Sequence, residues 1–99
     1  MGASLTHENF AAQLNKNFRV QIDEANAVDL VLADVSELRL SPKQEQFSVV
    51  FHGPLEVFLG QGLRQLEHDE MGQFNLFLVP IGKDDNSYSY EAVFNRLKQ

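Results

Sequence analysis

FSVVFHGPLEVFLGQGLRQLEHDEMGQFNLFLVPIG, residues 47–82, is the stretch whose reading decides the fold. Two strongly apolar strand-like runs flank a weaker run that ends in a tight turn. Leu66 and His68 precede that turn, and Phe74, Leu76 and Leu78 follow it. Both sets face one way only if the residues paired across the hairpin sum to an even number, because side chains alternate along a strand. A three-residue loop of Glu70, Met71 and Gly72 meets that condition. It also puts glycine where a left-handed backbone is needed. The expected pairs are Asp69 with Gln73, His68 with Phe74, Leu66 with Leu76 and Arg64 with Leu78; Glu67 with Asn75 and Gln65 with Phe77 take the opposite face.

Working outward to the N-terminal side, FRVQIDEANAVDLVLADV (residues 18–35) repeats the design. Phe18, Val20 and Ile22 alternate with polar residues, as do Val28, Leu30 and Leu32, which is the period of a half-buried strand. A three-residue loop of Glu24, Ala25 and Asn26 pairs Ile22 with Val28 and Val20 with Leu30, and it places Asn26 at the left-handed position. The alternation fails at Asp34 and Ser36 before Leu38 and Leu40 resume it. A bulge or bend near 33–36 accounts for the break, and such bends let one strand serve two sheets or turn a barrel corner. Ser41 and Pro42 stop the run, and KQEQ reads as a loop. Phe47, Val49 and Phe51 then share a face.

Gly53 and Pro54 open the connection LEVFLGQ (55–61), which is unusually apolar for a loop. Leu55, Val57, Phe58 and Leu59 either plug the core, form a short edge strand or present an apolar patch to a partner. Beyond the central hairpin, GKDDNS (82–87) is a hydrophilic turn, and Tyr88, Tyr90, Ala92 and Phe94 line one face of a last strand. Residues 96–99 read as a frayed tail. The one helix candidate is LTHENFAAQLN (5–15), with Thr6 as cap, Glu8 in the first turn, Leu5 and Phe10 at staple spacing, and Phe10 and Leu14 on one face. A helix this short needs a surface to dock on, and a lid over one end of the β-structure supplies it. The sequence therefore implies a single mainly β domain over residues 1–99. Six antiparallel strands form a small barrel or a two-layer sandwich with one N-terminal α-helix, and the bend in strand two favours the barrel.

Composition narrows function by exclusion. The 14 acidic residues against 8 basic ones, net charge -6, with the basic residues scattered from Lys16 to Lys98, do not make a phosphate-tracking surface, so no nucleic acid is expected. Cysteine is absent, which removes disulfides and thiolate metal sites. No apolar run reaches the roughly 18 residues that span a bilayer, so no membrane partner and a cytoplasmic setting are expected. His7, His52 and His68 have none of the close spacings of zinc ligands, and no metal or cofactor is expected. His68, on the core face near a strand end, is suited to closing the turn through backbone hydrogen bonds. Glu67, Asp69 and Glu70 lack the spacing of a calcium loop. The glycines at 60 and 62 are not followed by the third that a dinucleotide fingerprint requires, since position 65 is Gln65. No serine sits in a nucleophile elbow. Arg64 is a misfit on a core-facing position, where it pairs with an inward carboxylate such as Asp34, lies at the barrel rim, or binds a ligand together with His68.

The segments FSVVFHGP (47–54), QGLRQLEHDEMGQFNLFLVP (61–80) and YEAVFN (90–95) resemble a family of small bacterial domains of unknown function. The family pattern has a strand ending in F-x-G-P, then Q-G, an aromatic, L-E-H, a turn closing in glycine, F-x-L-F-L-V-P and a terminal Y-E-A-x-F-N. Arg64 stands where the aromatic is usual. The resemblance implies no catalytic residue. It implies a structural or accessory role, because genes of the family lie near those of tail-collar-type proteins related to phage tail fibres. The leading expectation is a non-enzymatic interaction module with an unknown protein partner, acting through an exposed strand edge or through Leu55, Val57, Phe58 and Leu59. The alternative is a small-ligand-binding β-barrel with a pocket at Arg64 and His68.

Overall fold

Alternating apolar and polar side chains build the walls of the molecule. The structure, a computed structural model, describes residues 5–97. β1 (Asn17–Gln21) buries Phe18 and Val20 and exposes the residues between. The same period runs through β2 (Ala27–Val35), β4 (Gln44–Gly53), β5 (Gly62–His68), β6 (Gly72–Lys83) and β7 (Tyr88–Leu97), whereas β3 (Arg39–Leu40) is a two-residue strand on one edge of β4. All pairings are antiparallel. The order β1–β2–β4–β7–β6–β5 returns to β1, so six strands close into a barrel with one short helix, α1 (His7–Ala11), before them.

Closure depends on two strands that change neighbour midway. β2 pairs with β1 over Ala27–Val31 and with β4 over Val31–Val35, and its register slips between Leu32 and Asp34. β6 pairs with β5 over Gly72–Leu78 and with β7 over Val79–Lys83, with a slip between Pro80 and Gly82 that leaves Ile81 exposed. A bulged residue bends its strand and raises the local twist, which is what a small barrel needs at its corners. The bend expected at 33–36 is thus present at Ala33, where the strand passes from one neighbour to the next.

The interior is filled. Phe18, Val20, Leu30, Leu32, Phe47, Val49, Phe51, Leu66, Met71, Leu76, Leu78, Tyr90 and Ala92 form one cluster with Phe10 and Leu59. Phe10, on α1, closes one end: its ring lies 5.3 Å from Phe94, 6.0 Å from Phe74, 6.2 Å from Phe47 and 6.3 Å from Phe18, which come from four different strands. Thr6 caps the helix, its side chain accepting from the Asn9 N–H. The lid expected over one opening is therefore in place.

Several local expectations are corrected. The helix ends at Ala11 and Asn15 is left-handed (φ 69°), so Leu14 is not on the helix and is exposed. Both hairpins are registered two residues away from the expected pairing: His68 faces Gly72 and Leu66 faces Phe74 in one, Val20 faces Val28 in the other. In the central hairpin the loop is Asp69, Glu70 and Met71, because Met71 folds inward and is only 1% exposed, and burying an apolar side chain outweighs leaving it at a loop tip. Gly72 keeps the left-handed conformation (φ 78°). In the first hairpin the Asp23 carboxylate accepts from the N–H groups of Ala25 and Asn26, which starts the turn earlier, leaves Ile22 exposed and spares Asn26 a positive φ. Leu38 and Leu40 do not rejoin the core; both are exposed, and β4 begins within the supposed loop at Gln44. β7 runs to Leu97 through the expected tail, and residues 98–99 lie outside those described.

Replacing Phe10 with Ala removes the stopper from this end and should cost about 3–5 kcal/mol in urea unfolding. A loss below about 1 kcal/mol would show that the helix merely rests on the barrel.

Candidate functional site

β4 and β5 are consecutive long strands in the chain but lie on opposite walls of the barrel, since β1 and β2 separate them on one side and β6 and β7 on the other. The connection between them, residues 54–61, therefore spans the open mouth opposite α1. That crossing explains its apolar composition. Leu59 points into the barrel and is 3% exposed, and Val57 packs against the core. The Leu59 N–H, carried down with it, donates to the hydroxyl of the buried Tyr90 at 3.0 Å, which meets the need of a buried backbone donor for a partner. At the start of the crossing, a Cβ on Gly53 would sit 2.6 Å from Leu30 Cδ2 and 3.2 Å from Tyr90 Cε2, so only glycine lets β4 approach this closely.

Phe58 points the other way. It is 57% exposed and rests edge-on against Tyr88, with ring centroids 5.1 Å apart. Lys83 Nζ lies 5.6 Å from the centre of the same Tyr88 ring, within cation–π range. Of the four residues singled out in this connection, Leu59 and Val57 thus belong to the stopper, Leu55 is half-buried, and Phe58 alone presents most of its surface. The segment is neither an edge strand nor a uniform patch, because its side chains divide between the barrel and water.

Two turns flank the crossing at the same end. One joins β1 to β2 and carries Asp23 and Glu24; the other joins β6 to β7 and carries Asp84 and Asp85. Both are built around an aspartate. Asp23 accepts from the Asn26 side chain and from the N–H groups of Ala25 and Asn26, and the Asn26 side chain and these backbone donors hold its carboxyl below the ordinary aspartate value of 3.8. Asp84 accepts from the N–H groups of Asn86 and Ser87 and is lowered by these bonds in the same way, with His52 nearby as a further contribution. With Glu56 exposed on the crossing itself, the rim of this mouth is rich in acidic side chains, and Lys83 and Arg64 are bases beside it.

Arg64 and His68 share the core-facing side of β5, yet the structure does not bring them together. Arg64 Nη2 donates to the Gly60 carbonyl at 2.7 Å, which ties the crossing to β5. Its Nε is buried without a partner among the described residues, and no ion pair joins it to Asp34, which is exposed on the outside of β2. His68 serves the turn at the opposite end: its Nδ1 accepts from the N–H groups of Glu70 and Met71, and its ring lies 4.4 Å from Phe18. It borders an open polar cleft of about 210 Å³ with Asn17, Arg19, Asp29, Glu67 and Asp69, which Arg64 does not line. His7 donates from Nε2 to the Ser36 carbonyl, and His52 is exposed on β4. No group of three or more His, Asp or Glu is gathered as a metal site among the described residues.

The class that this geometry defines is a small antiparallel β-barrel stoppered at both ends, with an aromatic side chain offered from an acidic mouth. Residues 5–94 match the family model described as a domain of unknown function, DUF6916, and the chain belongs to that family. No curated protein and no solved structure matches it.

The aspartate-centred turns make a direct prediction. A carboxyl whose folded pKa is depressed favours the ordered turn above its unfolded pKa and loses that effect as pH falls through the folded value. Carbon-detected titration should place the midpoints of Asp23 and Asp84 below 3.8, with the amide signals of Ala25, Asn26, Asn86 and Ser87 moving at the same midpoints. Midpoints at or above 3.8 would mean that these turns are not held by their carboxylates.

Proposed function

We propose that this protein is a non-enzymatic interaction module that engages a protein partner at the mouth crossed by residues 54–61. The observation that carries this reading is Phe58, an exposed aromatic side chain on a connection in which Val57 and Leu59 are committed to the core. Aromatic anchors backed by a second ring are the side chains from which interfaces draw most of their energy. Tyr88 is that second ring. The acidic rim adds a sense of direction: a partner segment with basic residues around an apolar one complements Phe58 and the carboxylates of Asp23, Glu24, Glu56, Asp84 and Asp85. An accessory of a phage-tail-like assembly is the setting we infer from the sequence resemblance. The ligand-binding alternative needs a chamber inside the barrel, and that space is occupied by the side chains of the core.

The test compares the tagged chain with its Phe58→Ser variant in capture from cells that make the protein. The variant should keep its thermal midpoint within a few degrees, since the replaced ring is largely in water, and should lose the specific partner at least about tenfold. Capture of the same partner in equal amount by both would refute the proposal. Raising salt should weaken capture by the unaltered chain if the acidic rim contributes.

A further inference from the structure

β6 has a free edge. It stays paired with β7 over Val79–Lys83, and over Gly72–Leu78 it is paired with β5 along one side and with no strand along the other. The hydrogen-bonding groups of a strand alternate sides, so every second residue of 73–78 directs its N–H and C=O away from β5. Among the described residues no turn, loop or side chain takes up those groups.

Free edges in native proteins are usually guarded by charge, proline or a bulge, because an unguarded one pairs with another chain. The sequence here, QFNLFL at residues 73–78, has no charge, no proline and no glycine, in a chain whose net charge is -6. Its outward face carries Phe77, 51% exposed, directly beside its cross-strand neighbour Leu63, 67% exposed, and next to them the amide pair Gln65 and Asn75. We propose that this edge pairs, antiparallel about a two-fold axis, with the same edge of a second copy of the chain.

The second copy is favoured over another partner by the charge pattern. In a two-fold interface a patch must complement itself, so a charged edge repels its own image. The acidic mouth is excluded from such a contact for that reason, and the uncharged β6 edge is suited to it. With the axis at Asn75, its amide, which carries both a donor and an acceptor, meets its own image, while Phe77 and Leu63 supply apolar area beside the new ladder. The dimer would leave the mouths of both barrels uncovered. It stands independently of what those mouths bind.

Sedimentation equilibrium of the full chain from about 1 to 200 µM, together with hydrogen exchange at both extremes, tests the proposal. The chain should form a reversible dimer in that range, and exchange of the amides in 73–78 should slow as concentration rises. Phe77→Lys and Asn75→Lys place like charges near the axis and should weaken association at least about tenfold. Asn86→Lys, on the turn at the mouth, should leave it unchanged. A monomer at every concentration, a dimer that both β6 lysines leave intact, or a dimer without added protection at 73–78 would each overturn the proposal. If either lysine variant fails to fold by circular dichroism, the concentration-dependent exchange of the unaltered chain decides alone.

Discussion

The chain leaves the barrel at the end of β4 and must re-enter it at β5 on the opposite wall. That one jump governs the rest of the structure. A connection forced across the mouth of an apolar barrel cannot be a wet loop, because water would then reach Leu30, Leu78 and Tyr90, all of which are buried. The crossing resolves this residue by residue. Leu59 enters the barrel, its N–H follows and is taken by the Tyr90 hydroxyl, and Gly53 lets the strand before it lie against Leu30 and Tyr90. Phe10 does the same at the other end from a helix of one turn and a half. Between these stoppers the interior is filled by the side chains of the core.

The division within the crossing decides what the mouth presents. Adjacent residues in an extended segment point to opposite sides. Once Leu59 is drawn inward, Phe58 is turned outward against Tyr88. Its exposure follows from the packing below it and is not a loose end of the chain. The turns on either side are fixed by Asp23 and Asp84, which accept backbone N–H groups and so keep acidic side chains at the rim.

Much of this was legible in the sequence, and what was missed has a physical pattern. The face of nearly every barrel residue follows from alternation: Phe18, Val20, Leu66, Leu76, Leu78, Tyr90 and Ala92 are buried as the period requires. Both hairpins slipped from the expected register by two residues, and an even slip returns each side chain to the same face, so the core survived an error in the pairing. Register was lost because it is decided by single side chains acting on backbone, the Asp23 carboxylate and the His68 ring, together with the burial of Met71. Ile22 and Leu40 look like core by periodicity, but Ile22 lies in the turn after β1 and Leu40 on the short edge strand β3, and both are exposed. At the site, the apolar run was visible as unusual, but which of Leu55, Val57, Phe58 and Leu59 would face out was not. That depends on β4 and β5 being opposite walls, a fact of topology that local sequence does not carry. Arg64 and His68 share a strand face and serve opposite ends for the same reason.

The claim at the centre is that neighbouring residues of one crossing have opposite duties, and equilibrium unfolding of Leu59→Ala and Phe58→Ala in one buffer tests it most directly. Loss of about 2–5 kcal/mol at Leu59, as for other buried leucines, is predicted. At Phe58 the predicted loss is below about 1 kcal/mol. Equal losses at the two positions, or the larger one at Phe58, would contradict the assignment of Leu59 as stopper and Phe58 as the presented side chain.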